Sequence, residues 1–207
     1  MLEIKDLRFR HPGQQSDYSF DLTVKPGKIL GITGKSGSGK STLLDLIAGF
    51  LLPSAGEILI DGTRQNESPP DTRPLTILFQ KNNLFEHLSA AENVAIGINP
   101  SLRLTPQEKR MVEEALARVG LCGKDQQKAA SLSGGEQQRV ALARSLVRNK
   151  PVLLLDEPFS ALDAETRAKM LTLVREIVDE KHLATLMVTH DPEDCRVLGA
   201  KIVSLLD

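Results

Sequence analysis

The stretch GITGKSGSGKST, residues 31–42, constrains this chain more than any other. Gly34, Gly37, Gly39, Lys40 and Ser41 fill every fixed place of the pattern G-x-x-x-x-G-K-[ST]. The apolar run KILGIT before it reads as a strand, and the run from Lys40 to Ala48 reads as a helix. Glycines at those places let backbone N–H groups curl around phosphate oxygens, with the positive end of the helix behind them. Gly34, Lys35, Ser36, Gly37, Ser38, Gly39, Lys40, Ser41 and Thr42 are therefore the candidate phosphate contacts. Lys40 is suited to the terminal phosphates and the Ser41 hydroxyl to Mg2+. A strand feeding such a loop predicts an α/β fold with a P-loop core, since these sheets bind ligands at the carboxyl ends of their strands.

The rest of the chain agrees with that fold class. LEIKDLRF, YSFDLTV and EILIDG alternate and predict an antiparallel β portion at the N-terminus. PLTILF, VLLLD, LATLMVT and KIVSLL are continuous apolar runs separated by helical patterns, which predicts a mostly parallel sheet covered on both faces. TRQNESPPDTRP, residues 63–74, reads as a polar surface loop. From Gln80 to Arg148 the pattern is helical, with Thr105, Pro106 and Glu108 forming a capping box and Gly120 a stop. We read 1–207 as a single domain with a helical subdomain inserted at roughly 81–148. With 26 Lys plus Arg against 27 Asp plus Glu, no global charge draws the chain to nucleic acid or to an anionic membrane. Cys122 and Cys195 lie outside any C-x-x-C pattern and are expected to be free, buried thiols. The N-terminus is unlike a signal peptide, and no apolar run approaches a membrane span.

PVLLLDEP sets Asp156 and Glu157 at the carboxyl end of a buried strand. Two adjacent carboxylates there call for a division of labour: Asp156 in the magnesium shell, Glu157 as general base for an attacking water. Gln80 ends the strand PLTILF and can reach either the metal or the water. His190 ends LATLMVT just before Asp191 and Pro192 open a helix, at the same edge, and is a candidate γ-phosphate contact.

A second glycine pair stands in SLSGGEQQRV, residues 131–140. Ser133 and Glu136 form a capping box, but that leaves Gly134 and Gly135 unexplained, since glycine in a helix costs up to roughly 1 kcal/mol against alanine. Close approach of another group repays it, and a helix N-terminus attracts anions. One nucleotide has one γ-phosphate for the two loops to share, so the economical arrangement is two molecules, each presenting this loop to the nucleotide held by the other.

GKSGSGKST, Gln80, LSGGE, VLLLDEP, SALD and His190, in that order, resemble the ATP-binding subunit of ABC transporters across essentially the whole chain. That resemblance implies a RecA-like P-loop ATPase that works as a head-to-tail homodimer around two ATP. Ser133, Gly134, Gly135 and Glu136 would then bind the partner's ATP, and Asp163 of SALD would communicate between the sites. The aromatic residue that stacks on adenine in many such subunits falls at about His11, with Phe9 and Tyr18 as alternatives. Leu84 and Phe85 either pack the helical subdomain or line a groove for a coupling helix of a membrane permease subunit. The segments IAGFLLPSAGEILIDG, PPDTRP and LFQKNNLFEHLS are most similar to subunits of bacterial thiamine importers. This implies thiamine or its phosphates as solute, a periplasmic solute-binding protein as indirect partner, and attachment to the cytoplasmic face of the cell membrane. Other ABC importers and exporters stay open from the motifs alone. A small-molecule kinase has no use for LSGGE and SALD, and soluble ABC proteins of DNA repair or translation usually carry tandem domains, coiled-coil insertions or basic surface.

Overall fold

Alternating apolar positions along the first strands put one face into a core and leave the other to solvent. β1 (Leu2–Phe9) pairs antiparallel with β2 (Tyr18–Val24) and β4 (Ala55–Ile60), and β5 (Thr63–Arg64) extends the edge. Leu2, Ile4, Leu7, Phe20, Leu22, Ile58 and Ile60 point into the interior. The computed structural model that gives this arrangement describes residues 1–13, 17–79 and 84–205.

The second sheet has the strand order β6-β7-β8-β3-β9, made of β6 (Leu75–Leu78), β7 (Val152–Asp156), β8 (Ala184–Val188), β3 (Lys28–Thr33) and β9 (Lys201–Ser204). β7, β8, β3 and β9 run parallel to one another. ATLMV is buried at every position and VLLL likewise, as a sheet covered on both faces requires. Helix α1 (Lys40–Ala48) leaves β3 through the glycine loop and adds Leu43, Leu44, Leu46 and Ile47 to the same core as both sheets. These elements form one compact unit, Met1–Ile77, Lys150–Asp156 and Ile177–Asp207.

The expected surface loop 63–74 is not wholly on the surface. Arg73 is only 1% exposed, and Gln65 and Asn66 are also buried. Helix α1 ends at Gly49 with carbonyls that need donors, and the Arg73 guanidinium supplies them, giving hydrogen bonds from Nη1 to Leu46 O (2.8 Å) and Ile47 O (2.7 Å). Its Nε donates to Ser68 O and Nη2 to Asn66 O, so a buried cation at the negative end of the helix has acceptors on all sides. Burial lowers its pKa from the usual arginine value.

The other compact unit comprises Leu78–Asn149 and Glu157–Glu176. In it α2 (Ala90–Ala95), α3 (Pro106–Arg118) and α4 (Gly134–Val147) pack on one another. Each opens with a complete capping box: Ser89 with Glu92, Thr105 with Glu108, Ser133 with Glu136. Two further helices, α5 (Ala164–Glu180) and α6 (Pro192–Val197), follow β7 and β8. Cys195 is free and buried as expected, whereas Cys122 is exposed because it sits in the turn after α3. No helix among the described residues is long and apolar enough to cross a membrane.

Candidate functional site

Strand register decides what meets at the edge of the parallel sheet. Ile32 pairs with Val188 and Asp156 pairs with the same Val188, so these three residues form one row across β3, β8 and β7. The glycine loop starts two residues beyond that row, His190 lies two residues beyond it, and Asp156 lies in it. Parallel pairing thus delivers the loop, a carboxylate and an imidazole to one edge.

The loop is shaped by its own chain. Gly39 caps α1 with φ 90° and no side-chain cap, and a Cβ there would stand 2.6 Å from the ring of Tyr18. A Cβ on Gly34 would stand 2.5 Å from Ser38 Oγ. Both positions therefore admit only glycine. Tyr18 supports the loop, its hydroxyl donating to Gly37 O at 3.1 Å. Lys40 is 7% exposed and arches back, its ammonium donating to Gly34 O and Lys35 O, each at 2.7 Å. Ser38 Oγ is buried with no hydrogen-bond partner among the described residues, while Ser41 is exposed in the first turn of α1.

His11 is tied to the loop as well. Its Nε2 and Thr42 Oγ1 share a hydrogen bond of 3.0 Å, and its ring stands edge-on to Phe9 and to Tyr18. His11 sits between Phe9 and Tyr18 in a short aromatic column that continues to Phe20, and like Tyr18 it is only partly covered. His190 is exposed between two anchors: Thr189 N donates to Ile32 O, and Thr189 Oγ1 donates to Asp194 Oδ2 and accepts from Asp191 N. Asp191 in turn caps α6 through Glu193 N. Gln80 lies outside the described residues.

In the helical unit, Ser133 Oγ accepts from Glu136 N and Ser133 N donates to Glu136 Oε2. The other carboxylate oxygen of Glu136 meets the Lys124 ammonium. Lys124, with the Ser133 hydrogen bonds, pushes the Glu136 pKa down to about 2. Neither glycine of this loop has a positive φ. A Cβ on Gly134 would meet nothing within 4 Å, and one on Gly135 would make ordinary contacts with Ala161 O at 3.4 Å and Leu162 Cδ2 at 3.5 Å. Their own unit gives no reason for glycine at either place.

Glu157 has φ 48°, a left-handed conformation that side chains other than Asn, Asp and Gly rarely adopt. Strain of this kind persists where surrounding bonds impose it. Here the Glu157 carbonyl accepts from Ser160 Oγ at 3.1 Å and from Gln138 Nε2 at 3.4 Å. Gln138 is 2% exposed, and its Oε1 accepts from Ala161 N, so it ties α4 to the segment that leads to Asp163. Sequence reasoning missed Gln138 and the support from Tyr18. The signal for Gln138 was present: it shares a helical face with Ala141, Leu142 and Ser145, all buried, so an amide stands on an apolar stripe. Asp163 Oδ1 accepts from Thr166 N at 2.9 Å in the first turn of α5, a bond that lowers its pKa.

Phe85 is 47% exposed and Leu84 half-buried. The amide of the fully buried Asn93 fixes their segment, accepting from Phe85 N and donating to Phe85 O and Ser89 O. A cleft of about 810 Å³ in the same helical unit is lined by Ala95, Leu104, Val112 and Cys122, and Phe85 and Leu84 do not line it.

Comparison with known proteins adds three findings. Residues 18–160 match the family model described as ABC transporter. The chain is 47% identical over 203 residues to the thiamine import ATP-binding protein ThiQ of Chelativorans sp. (strain BNC1), covering 98% of this chain and 82% of that protein. Against the protein of the same name from Haemophilus influenzae (strain 86-028NP), identity is 53% over 175 residues, covering 84% of this chain and 81% of that one. Among solved structures, the dimeric ABC transporter cassette MJ0796 superposes with a TM-score of 0.87 at 31% identity, covering 99% of this chain and 94% of that one. Its post-hydrolysis form bound to ADP and Pi gives the same TM-score.

Proposed function

The chain belongs to the ABC transporter family, and from that premise we propose that it is the ATP-hydrolysing subunit of an importer of thiamine or its phosphates. The observation that carries the ATPase part is the row Ile32, Val188, Asp156, which gathers a phosphate loop, a carboxylate and His190 at one sheet edge. The solute follows from relatives named for thiamine import at 47% to 53% identity. The whole chain, 1–207, acts as one ATP-binding unit.

In this reading residues 34–42 wrap the triphosphate, and Lys40 exchanges its bonds to Gly34 O and Lys35 O for phosphate oxygens. The exposed Ser41 hydroxyl and the Asp156 carboxylate, with Gln80, are hard oxygen donors that fit Mg2+, which would neutralise charge on the phosphates. His11 meets the adenine with its partly covered ring, held in place by Thr42, Phe9 and Tyr18. The Glu157 carboxylate accepts the proton of the attacking water while the water oxygen bonds to the γ-phosphorus and the bond to the ADP oxygen breaks. His190 orients the γ-phosphate.

Two copies assemble head to tail, as the dimeric form of a 31% identical cassette supports. Ser133, Gly134 and Gly135 then meet the γ-phosphate held by the other copy, which gives the two open glycines their reason. Glu136 serves that loop through its cap, and Asp163 at the start of α5 communicates between the sites. ATP binding closes the pair and hydrolysis reopens it. Two membrane permease subunits or domains dock on the exposed Phe85 with Leu84, which holds the chain peripherally on the cytoplasmic face, and the periplasmic binding protein acts through them.

The test is to assemble the chain with its membrane subunits and measure ATP hydrolysis. Thiamine-loaded binding protein should stimulate turnover, and Glu157→Gln should abolish it. No stimulation by thiamine or its phosphates overturns the solute assignment, and normal turnover of the Glu157 variant overturns the catalytic one.

A further inference from the structure

A capping box needs no lysine. In the box on α3, Glu108 accepts from Thr105 N at 2.8 Å and from Thr105 Oγ1 at 2.9 Å, and it makes no ion pair among the described residues. The box on α4 is built differently. Glu136 uses Oε2 for Ser133 N, and Lys124 takes Oε1. Lys124 reaches it from the turn after α3, where its own N–H donates to Leu121 O and its carbonyl accepts from Gln127 N, so the backbone under the ammonium is set in place. The lysine side chain is 39% exposed and the glutamate 16%, which makes the pair worth little to folding.

Its place on the molecule gives it another use. Glu136 lies in the first helical turn beside Gly134 and Gly135, where a Cβ would meet open space or an ordinary contact. A bare carboxylate there would oppose an approaching triphosphate and cancel the positive potential of the helix end. The proton cannot remove that charge near neutral pH, because the same contacts hold the carboxyl down to about 2. Only a counter-ion can.

We propose that Lys124 is a positioning residue of the Ser133–Gly135 loop: its ammonium masks the Glu136 carboxylate so that the loop can receive the triphosphate bound by a second copy of the chain. This rests on the two-copy reading above. Glu136 keeps its cap for the loop's shape, and Lys124 removes the electrostatic penalty that the cap would bring. Lys128 also stands near the capping-box carboxylate of α2, 3.9 Å from Glu92 Oε2, but only in the α4 box does the pair sit beside two glycines with open space or ordinary contacts at their Cβ positions.

The test uses the full chain carrying Glu157→Gln, in which ATP-dependent dimers should accumulate, with dimer measured by sedimentation velocity as ATP is raised. Adding Lys124→Met should raise the ATP concentration for half-maximal dimer by about tenfold, and low salt should widen the difference. Lys124→Arg should behave as the parent. Lys124→Met combined with Glu136→Gln should need several-fold less ATP for half-maximal dimer than Lys124→Met alone, because the charge to be masked is gone. The melting temperature should stay within about 2 °C throughout. If Lys124→Met dimerises at the parent's ATP concentration, or if removing the Glu136 charge fails to restore it, masking is wrong. If the Glu157→Gln parent itself forms no ATP-dependent dimer, the two-copy reading fails and takes this proposal with it.

Discussion

The two glycine loops of this chain look alike in sequence and are opposite in structure. In residues 34–42 glycine is demanded from within: Gly39 has φ 90° and lies against Tyr18, and Gly34 against Ser38. In residues 133–135 it is not: both glycines are helical in conformation, and Gly134 faces nothing within 4 Å. A glycine with an internal reason tells how a loop is built. One without such a reason tells that something outside the fold comes close, and this difference separates the loop that holds a nucleotide from the loop that completes another copy's site.

The largest effects should split along that line. Lys40→Ala removes the ammonium that crosses the first loop and should weaken ATP binding to the single protomer at least about 100-fold, measured with a fluorescent ATP analogue. Ser133→Arg should leave that binding within about threefold of the parent, yet lower ATP hydrolysis by the assembled complex at least about 100-fold, because a bulky cation blocks closure. If Ser133→Arg also loses protomer binding, both loops serve the same nucleotide and the comparison collapses.

Stability should split the same way with smaller magnitudes. Gly39→Ala forces a Cβ into a left-handed position against the Tyr18 ring and should destabilise by about 2–4 kcal/mol in urea unfolding. Gly134→Ala should be neutral or stabilising by up to about 1 kcal/mol, while lowering turnover of the assembled complex by about tenfold. Normal turnover in Gly134→Ala would mean that nothing approaches that backbone.

What the sequence made legible follows from how local each signal is. The strands 2–9, 18–24 and 28–33 and the glycine loop are contiguous patterns, and they appear where alternation and spacing put them. Thr105 with Pro106 and Glu108 likewise begins α3 as written in four residues. Arg73 defeated the same reasoning, because polar, proline-rich composition predicts solvent exposure while its burial depends on carbonyls at Leu46 and Ile47, distant in the chain. The Tyr18 contact with Gly37 and the Lys124 contact with Glu136 are long-range in the same sense. The left-handed backbone at Glu157 had no sequence signal at all, since glutamate is a poor residue for it and the bonds from Ser160 and Gln138 to its carbonyl come from side chains elsewhere in the chain.

The smallest effect probes the charge at the second loop directly. A carboxyl whose pKa is lowered on folding contributes stability that is complete above its unfolded value and disappears as pH falls through its folded value. For Glu136 that window runs from the ordinary 4.5 down to about 2. Glu92, Glu108 and Asp163 also have lowered pKa values from helix-cap bonds, so the parent chain loses stability in acid for several reasons at once. Glu136→Gln leaves those groups in place and removes only one titration, so the difference between the two unfolding curves isolates it. That difference should shrink by about 1 kcal/mol between pH 5 and pH 2, allowing for solvent screening of a pair whose lysine is partly exposed. Parallel curves would mean that the Lys124–Glu136 pair does not persist in solution, and the second loop would then meet its partner with the carboxylate bare.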